Sequence, residues 1–309
     1  MQFKTPILLI TFNRPDKTRK LIDFFSKIKA GNLFISRDGP RDNNHEEKKL
    51  CDQVAKIVKN IEWKCDTNYL ISDKNLSCKV NVVKSIDWFF SKVDNGIILE
   101  DDCLPSETFF YFCENLLKKY SENRDIMHIN GTNLGLDLAR ENCSSYFLSK
   151  LCNVWGWATW KRAWILYERD FVDYNKLIKN DHIKGYYENS EIYMWMKKYF
   201  DNAYSKKDKI WSSNWSYTLA KHNSYCISPS KNLVKNIGFD GSGTSGKSNR
   251  FSKFSDVDIN DFNSIIHPEK LEYKNINDTI TFKSIIENID PRASKNLNLL
   301  EMIKKAFKL

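Results

Sequence analysis

Apolar and polar positions follow a regular pattern over the first 130 residues, where short apolar runs are separated by longer amphipathic stretches. The apolar runs predict buried strands at 6–11, 33–36, 68–72, 96–99 and 126–130. The stretches between them repeat apolar residues at helical spacing and predict helices at 16–29, 45–59, 75–92 and 108–120. Strands that alternate with helices predict an α/β fold with a Rossmann-like, mostly parallel sheet and helices on both faces.

The fourth apolar run ends in three consecutive acids, Glu100, Asp101 and Asp102. Three carboxylates at the end of a buried strand repel one another and lose hydration. A divalent cation relieves both penalties, because Mg²⁺ and Mn²⁺ prefer carboxylate oxygens, and ligands of open α/β sheets bind outside the carboxyl ends of the strands. From these residues alone, a ligand site and a solvated turn are both open interpretations.

Composition limits the class of protein. The chain has 309 residues, 41% of them hydrophobic, a net charge of +9, and 8 Cys, 9 Trp, 14 Tyr and 19 Phe. Its length and apolar content suffice for a substantial core. The lysines are scattered among acids and no nucleic-acid-binding module is present, so we expect no nucleic-acid partner. The cysteines form no C-x-x-C pair, and no apolar run has the length of a secretory signal or a membrane span, so we expect a reduced, cytoplasmic protein.

Aromatic residues mark the second half of the chain. Trp155, Trp157, Trp160 and Trp164 fall within ten residues, and Trp211 and Trp215 follow later. One interpretation is a well-packed helix start, and the other is an acceptor wall on whose indole faces sugar rings stack. Residues 1–250 are predicted to be a single domain with two halves, 1–130 and an aromatic-rich 131–250.

A C-terminal extension, 251–309, completes the predicted organisation. Its last segment, Leu297 to Leu309, sets apolar residues against lysines at helical spacing. This pattern is typical of a docked terminal helix, and also of a basic amphipathic helix that lies peripherally on the inner face of a membrane.

Five motifs occur in a characteristic order, namely TFNRP, DGPR, LEDDCLP, GWATWKRAW and NLVKNIGF. With this ordered set the chain resembles a bacterial family of nucleotide-sugar glycosyltransferases with the GT-A fold, and more distantly the Golgi transferase that adds the first branching N-acetylglucosamine to N-glycans. The match covers about residues 5–245. It implies that the first half, 1–130, binds the donor and that the second half, 131–250, forms the acceptor side. The resemblance implies transfer of a sugar, UDP-linked in the simplest case, to a carbohydrate hydroxyl of a glycan or polysaccharide, with inversion at the anomeric carbon.

The resemblance also implies roles for particular residues. Asp102 would ligate Mn²⁺ or Mg²⁺, and Asp101 and Glu100 would contact the ribose and the donor sugar. The nucleotide would be held by Thr11, Asn13 and Arg14, and Asp38 would accept a hydrogen bond from the base. Lys79 is either a further phosphate contact or an ordinary surface lysine. Trp155, Trp157, Trp211 and Trp215 would shape the acceptor side.

The chain departs from the family at the general base. The family carries an acid in a Trp-Asp-…-Trp segment, but here Ser212, Ser213 and Asn214 lie between the two tryptophans. Serine and asparagine cannot take a proton at neutral pH. Three explanations compete: another acid acts, with Asp240, Glu191 and Asp208 as candidates; the acceptor needs little base help; or the chain is a catalytically weak protein that binds a nucleotide sugar or glycan.

Residues 241–248 (GSGTSGKS) match the phosphate-loop pattern of kinases and NTPases. That function needs a buried parallel strand before the loop and a helix after it. An alternative is a flexible lid that closes over the donor diphosphate, with Lys247 near the β-phosphate. A third possibility is a surface loop.

Overall fold

The structure is a computed structural model that describes residues 2–135, 144–206, 210–239, 254 and 257–289. The strands are β1 (Ile7–Thr11), β2 (Asn32–Arg37), β3 (Asp66–Ile71), β4 (Asn95–Glu100), β5 (Cys103–Pro105), β6 (Ile126–Asn130), β7 (Tyr146–Ser149), β8 (Trp157–Trp160), β9 (Tyr225–Pro229) and β10 (Val234–Asn236). The helices are α1 (Pro15–Lys27), α2 (His45–Lys59), α3 (Cys78–Phe90), α4 (Glu107–Lys119), α5 (Lys161–Trp164), α6 (Tyr174–Lys179), α7 (His182–Tyr187), α8 (Ser190–Tyr204), α9 (Trp211–Lys221) and α10 (Asn275–Ile289).

An eight-stranded sheet runs through the molecule in the order β3-β2-β1-β4-β8-β6-β9-β7. The first four strands are all parallel, and β6 is parallel to β9, whereas β8 is antiparallel to both β4 and β6. This confirms the predicted mixed α/β fold with a large, mostly parallel central sheet flanked by helices. The sheet continues through both predicted halves of the chain, because β4 pairs directly with β8.

The apolar runs form the central strands because these are covered on both faces. All five residues of β1 are buried, and its neighbour β4 buries Gly96 to Leu99. Continuous rather than alternating hydrophobicity is typical of such parallel strands. The predicted helices occur within a few residues of their predicted ends, and the main difference is α3, which begins at Cys78 rather than at residue 75.

Helices α6 to α9 build a separate aromatic cluster in the second half, with Phe171, Tyr187, Phe200 and Tyr217 buried in it. Helix α10, which the sequence pattern did not predict, packs on this cluster through Phe282 and Ile286 and on β7. Its Asp278 accepts hydrogen bonds from the Ser149 hydroxyl and the Lys150 backbone N–H, at 2.5 and 2.8 Å. Part of the predicted C-terminal extension is therefore packed into the fold.

Candidate active site

The carboxyl ends of β1 and β4 define a crevice at one edge of the sheet. The chain leaves β1 toward β2 on one side and β4 lies on the other, so the direction of winding reverses between them. Such a reversal is where open α/β sheets bind ligands. The two loops are joined here, because the Asp101 N–H donates to the Ile10 carbonyl at 3.0 Å and the Phe12 N–H donates to Asp101 Oδ2 at 3.2 Å. The three predicted acids thus lie in the expected crevice.

Arg14 links the acids to the start of α1. Its Nη2 lies 3.0 Å from Asp101 Oδ1, and its Nη1 donates to Asp102 Oδ2 at 2.7 Å. Burial lowers the pKa of Arg14, but the charges of Asp101 and Asp102 outweigh that effect and leave the pKa above its usual value. The predicted donor-site residue Arg14 is therefore placed at the acids, with its guanidinium shared between two of them.

Two of the three acids in this crevice have raised pKa values. Burial, followed by repulsion from Asp102, raises the pKa of Glu100 well above its usual value. Burial also raises the pKa of Asp101, although Arg14 acts in the opposite direction. A further cation would stabilise the ionised form of both carboxyl groups, so the crevice favours cation binding.

The position of Asp101 differs from that expected of a residue that contacts the ribose or the donor sugar. It is buried, and its two oxygens are engaged by Arg14 and by the Phe12 N–H, so it positions the β1 loop instead of reaching a ribose. Glu100, by contrast, is partly exposed, and so is Asp102. These two acids are the members of the triplet that a ligand can reach.

Asp38 organises the loop before α3. Its Oδ1 accepts the backbone N–H groups of Gly39 and Leu76, both at 2.9 Å, and its Oδ2 accepts the Asn75 amide at 3.1 Å. Gly39 is required for this contact, because a Cβ there would lie 2.4 Å from the backbone carbon of Lys74. Burial raises the pKa of Asp38, and the two backbone hydrogen bonds oppose it. The predicted bond to a nucleotide base would have to share the oxygen that now holds Asn75.

Thr11 and Asn13 contact protein groups. The Thr11 hydroxyl is buried and donates to the Ser36 carbonyl at 2.9 Å, so this hydroxyl ties β1 to β2. The nucleotide contact of Thr11 stays a prediction. The Asn13 amide donates to Glu47 Oε1 at 3.2 Å, and Glu47 Oε2 accepts the Arg41 N–H at 2.7 Å. Glu47 could not be predicted from the sequence, because an acid in the first turn of a helix is common and carries no signal of its own.

The opposite wall of the crevice is the segment after β10. Strands β10 and β5 form a two-stranded antiparallel sheet, and the Ile237 N–H donates to the Asp102 carbonyl at 2.8 Å. Gly238 approaches so closely that a Cβ there would lie 2.3 Å from Asp102 Oδ2. A phosphate loop requires a buried parallel strand before it, and the strand that precedes residues 241–248 is a three-residue antiparallel one, which argues against a kinase.

Three of the four tryptophans that were predicted to shape the acceptor side lie in the core instead. Trp157, Trp211 and Trp215 are buried, and their rings pack on one another, with Trp157 5.8 Å from Trp211 and 5.9 Å from Trp215 between centroids. The Trp215 indole also donates to His128 Nδ1 at 3.0 Å. These rings are core residues because their faces are already covered. Trp155 is partly exposed and lies against Phe239 near the crevice.

Asn214 lies in the segment where the resemblance predicts the general base, and its side chain is held there by hydrogen bonds. Lys79 Nζ donates to Asn214 Oδ1 at 2.8 Å, and the Asn214 amide donates to the carbonyls of Glu168 and Arg169 at 2.8 and 2.9 Å. Asn214 is fully buried and uses both ends of its side chain to join α3, α9 and the residue 168–169 loop. The Asn214 side chain therefore has a structural role in this part of the fold.

The remaining predicted residues divide into two groups. Glu191 is exposed in the first turn of α8, where its backbone N–H donates to Asn189. Asp208, Asp240, Lys247, the 241–248 loop and the Leu297–Leu309 segment lie outside the described residues.

A divalent cation fits the chemistry of the crevice with few protein ligands. Within the part of the chain that the structure describes, no three His, Cys, Asp or Glu side chains converge as a ready metal site. Asp102 has one oxygen on Arg14 and the other beside the Cys103 thiol at 3.5 Å. Its hard oxygens and the reachable Glu100 suit Mg²⁺ or Mn²⁺ whose other ligands come from a diphosphate.

A scan of protein-family models found no match to this chain, and a search of curated proteins found no relative. Across the described ranges, none of the helices combines the length and apolar character needed to cross a bilayer.

Proposed function

We propose that this chain is a GT-A-type glycosyltransferase that moves a sugar from a nucleotide-diphosphate donor, UDP-linked in the simplest case, to a hydroxyl of a carbohydrate acceptor. The observation that carries the proposal is the position of Glu100 and Asp102 at the winding reversal between β1 and β4, with Arg14 beside them. The ordered motifs of the sequence add support.

In this proposal Asp102 holds Mn²⁺ or Mg²⁺ together with the donor diphosphate. When bound, the cation would stabilise the negative charge that develops on the leaving diphosphate. Arg14 fixes the orientation of the Asp102 carboxylate through its 2.7 Å contact, and Asp101 fixes Arg14. Glu100 faces the donor, and the Asp38–Leu76 contact shapes the floor on which the nucleotide lies.

The acceptor would enter from the side of Trp155, and Asp240 is the base that we favour. The chain approaches the acids just before it, since Ile237 donates to the Asp102 carbonyl and Gly238 touches the carboxylate. Glu191 is the less suitable candidate, because it is exposed at the start of α8 and its backbone contacts Asn189 there. Asp240 would take the proton of the acceptor hydroxyl as its oxygen bonds to the anomeric carbon and the bond to the diphosphate breaks on the opposite face, and this single displacement would invert the configuration.

A nucleotide-sugar-binding protein of weak activity is the second candidate, favoured by the structural use of Asn214 at the expected base segment. The test is release of UDP from a panel of UDP-sugars, with and without carbohydrate acceptors, by the wild type and by Asp102→Asn in Mn²⁺. Acceptor-dependent release that is lost in the variant supports the transferase. Binding of a UDP-sugar without turnover on any acceptor supports the binding protein, and no binding of any UDP-sugar contradicts both.

A further inference from the structure

A surface cavity of about 300 Å³ opens between α3 and the loop that follows α5. Its lining consists of Lys79, Val80, Val83, Lys84 and Asp87 from α3, and of Tyr167 and Arg169 from the loop. The α3 residues are spaced one, three and four positions apart, so they share one face of the helix. That face extends about 12 Å along the helix axis from Lys79 to Asp87. The lining includes none of the three acids of the crevice, so the cavity is distinct from the proposed donor site.

The lining of this cavity is basic, with Lys79, Lys84 and Arg169 against one acid, Asp87. Lys84 is exposed and the Arg169 side chain is 54% exposed, so both can reach a ligand that enters. Lys79 Nζ is held at the wall by Asn214, to which it donates at 2.8 Å. Ammonium and guanidinium groups on one wall favour a ligand that carries a carboxylate or a phosphate.

Asp87, the one acid in the lining, is compensated by its neighbours. Arg169 Nη2 lies 2.9 Å from each of the Asp87 oxygens, and the Trp164 indole N–H donates to Oδ1 at 2.9 Å. A carboxylate offers about four acceptor positions, so these contacts do not exhaust Asp87. Its side chain is 40% exposed, and it can therefore accept a hydrogen bond from a hydroxyl of a ligand.

Two valines form the apolar part of the lining. Val80 is 53% exposed, and Val83 is buried beside it. The Tyr167 ring is buried, because Trp164 stacks on it with 4.5 Å between centroids and the Arg169 guanidinium lies over it at 5.6 Å. The cavity therefore suits the aliphatic C–H groups of a small ligand, and it lacks the exposed aromatic ring on which a nucleic-acid base would stack.

We propose that this cavity is a second binding site of the protein, for a sugar unit that carries a carboxylate or a phosphate group. The anionic group would pair with Lys84 and Arg169, a ring hydroxyl would donate to Asp87, and ring C–H groups would pack on Val80. A bare phosphate ion would make only the first of these contacts. The inference goes beyond the proposed function, because the acids of the crevice take no part in it.

The test is calorimetric titration, at constant ionic strength, of tetragalacturonate, glucose 6-phosphate, inorganic phosphate and the neutral maltotetraose. We expect an anionic sugar to bind more tightly than maltotetraose, and its affinity should fall about two- to fivefold in Lys84→Gln, because one partly exposed ion pair is lost. Val80→Glu should weaken binding more than Val80→Gln, because the added carboxylate repels the ligand. These two variants differ in one charge, and both place a good helix former at an exposed helix position.

Lys20→Gln controls for the net charge of +9, which attracts any anion. Lys20 is exposed on α1, and α1 packs on the opposite face of the sheet from α3. Equal weakening in Lys20→Gln and Lys84→Gln would overturn the proposal, because the attraction would then not belong to the cavity. Equal affinities of Val80→Glu and Val80→Gln, or maltotetraose binding as tightly as both anionic sugars, would overturn it too.

The ligand series also identifies the anionic group. Preferred binding of tetragalacturonate supports a carboxylate-bearing sugar, and preferred binding of glucose 6-phosphate supports a phosphate-bearing one. Inorganic phosphate that binds as tightly as glucose 6-phosphate, with no binding of tetragalacturonate, would contradict a sugar site. Titration of UDP in Mn²⁺ should give wild-type affinity in Lys84→Gln. A loss of UDP affinity as large as that for the anionic sugar would make the cavity part of the donor site and refute its assignment as a second site.

Discussion

Gly238→Ala should disable the donor site while leaving the fold intact. The added Cβ would lie 2.3 Å from Asp102 Oδ2, 2.9 Å from Asp102 Cγ and 3.0 Å from Asn236 Oδ1, and the carboxylate is the group that can rotate away. The backbone of Gly238 lies outside the left-handed region, so alanine is not strained by its own dihedral angles. The collision therefore acts on Asp102 and on its 2.7 Å contact with Arg14.

The expected loss of UDP affinity follows from the contact between Asp102 and Arg14. A hydrogen bond to a charged group contributes about 1.5–3 kcal/mol. If UDP and Mn²⁺ need Asp102 in its present orientation, their affinity should fall about ten- to a hundredfold. The free energy of unfolding should change by no more than about 1–2 kcal/mol, since alanine also restricts the unfolded chain and offsets part of the loss.

The assay is calorimetric titration of UDP in Mn²⁺, with urea denaturation of the same preparations. Gly185→Ala is the matched control, because no atom lies within 4 Å of its added Cβ. Gly185 lies inside α7, so alanine there should raise stability by about 0.5–1 kcal/mol and leave UDP affinity unchanged. Wild-type UDP affinity in Gly238→Ala would refute the reasoning, since the orientation of Asp102 would then not matter.

Three further predictions concern packing and pH. Asp38→Ala leaves two backbone N–H groups without an acceptor. The free energy of unfolding measured in urea should therefore fall by about 2–4 kcal/mol. A fall of less than about 1 kcal/mol would mean that water replaces the carboxylate as acceptor. Trp215→Phe removes the hydrogen-bond donor to His128 and also core volume. The free energy of unfolding should fall by about 1–3 kcal/mol, and the affinity for the acceptor should not change. Reduced acceptor affinity at wild-type stability would instead support a role of Trp215 in acceptor binding. Burial raises the pKa of Asp278 from 3.8 to about 6, so the folded chain holds this proton to higher pH than the unfolded chain, and its contribution to stability is lost as pH rises from about 4 to 6. Urea midpoints at these two pH values should differ less in Asp278→Asn than in the wild type, and equal differences would show that Asp278 titrates normally.

The sequence predicted the sheet because its signal is local. Runs such as Ile7 to Ile10 are apolar at every position, and only a strand covered on both faces uses that pattern. The acids at the end of β4 could be placed for the same reason, since the end of a buried run is visible in the sequence. Asp38 follows β2 directly and Arg14 comes three residues after β1, and both lie at or beside the crevice.

The roles of single side chains could not be predicted, because they depend on partners from distant segments. Trp215 looks equally suited to a core and to a sugar-binding surface until His128 and Trp157 are placed beside it. The role of Asn214 depends on Lys79, which lies 135 positions away along the chain and donates a hydrogen bond to it. Lys283 belongs to no sequence motif, and only the structure shows that it is buried without a hydrogen-bond partner among the described residues.

The most direct test of the donor site is calorimetric titration of UDP, a panel of UDP-sugars and ATP into the wild type and Asp102→Ala, each in Mn²⁺ and in EDTA. The account predicts UDP or UDP-sugar binding that needs the metal and disappears in the variant. ATP binding that survives the substitution, with no binding of UDP in any condition, would contradict the account. It would favour a kinase or NTPase that uses residues 241–248.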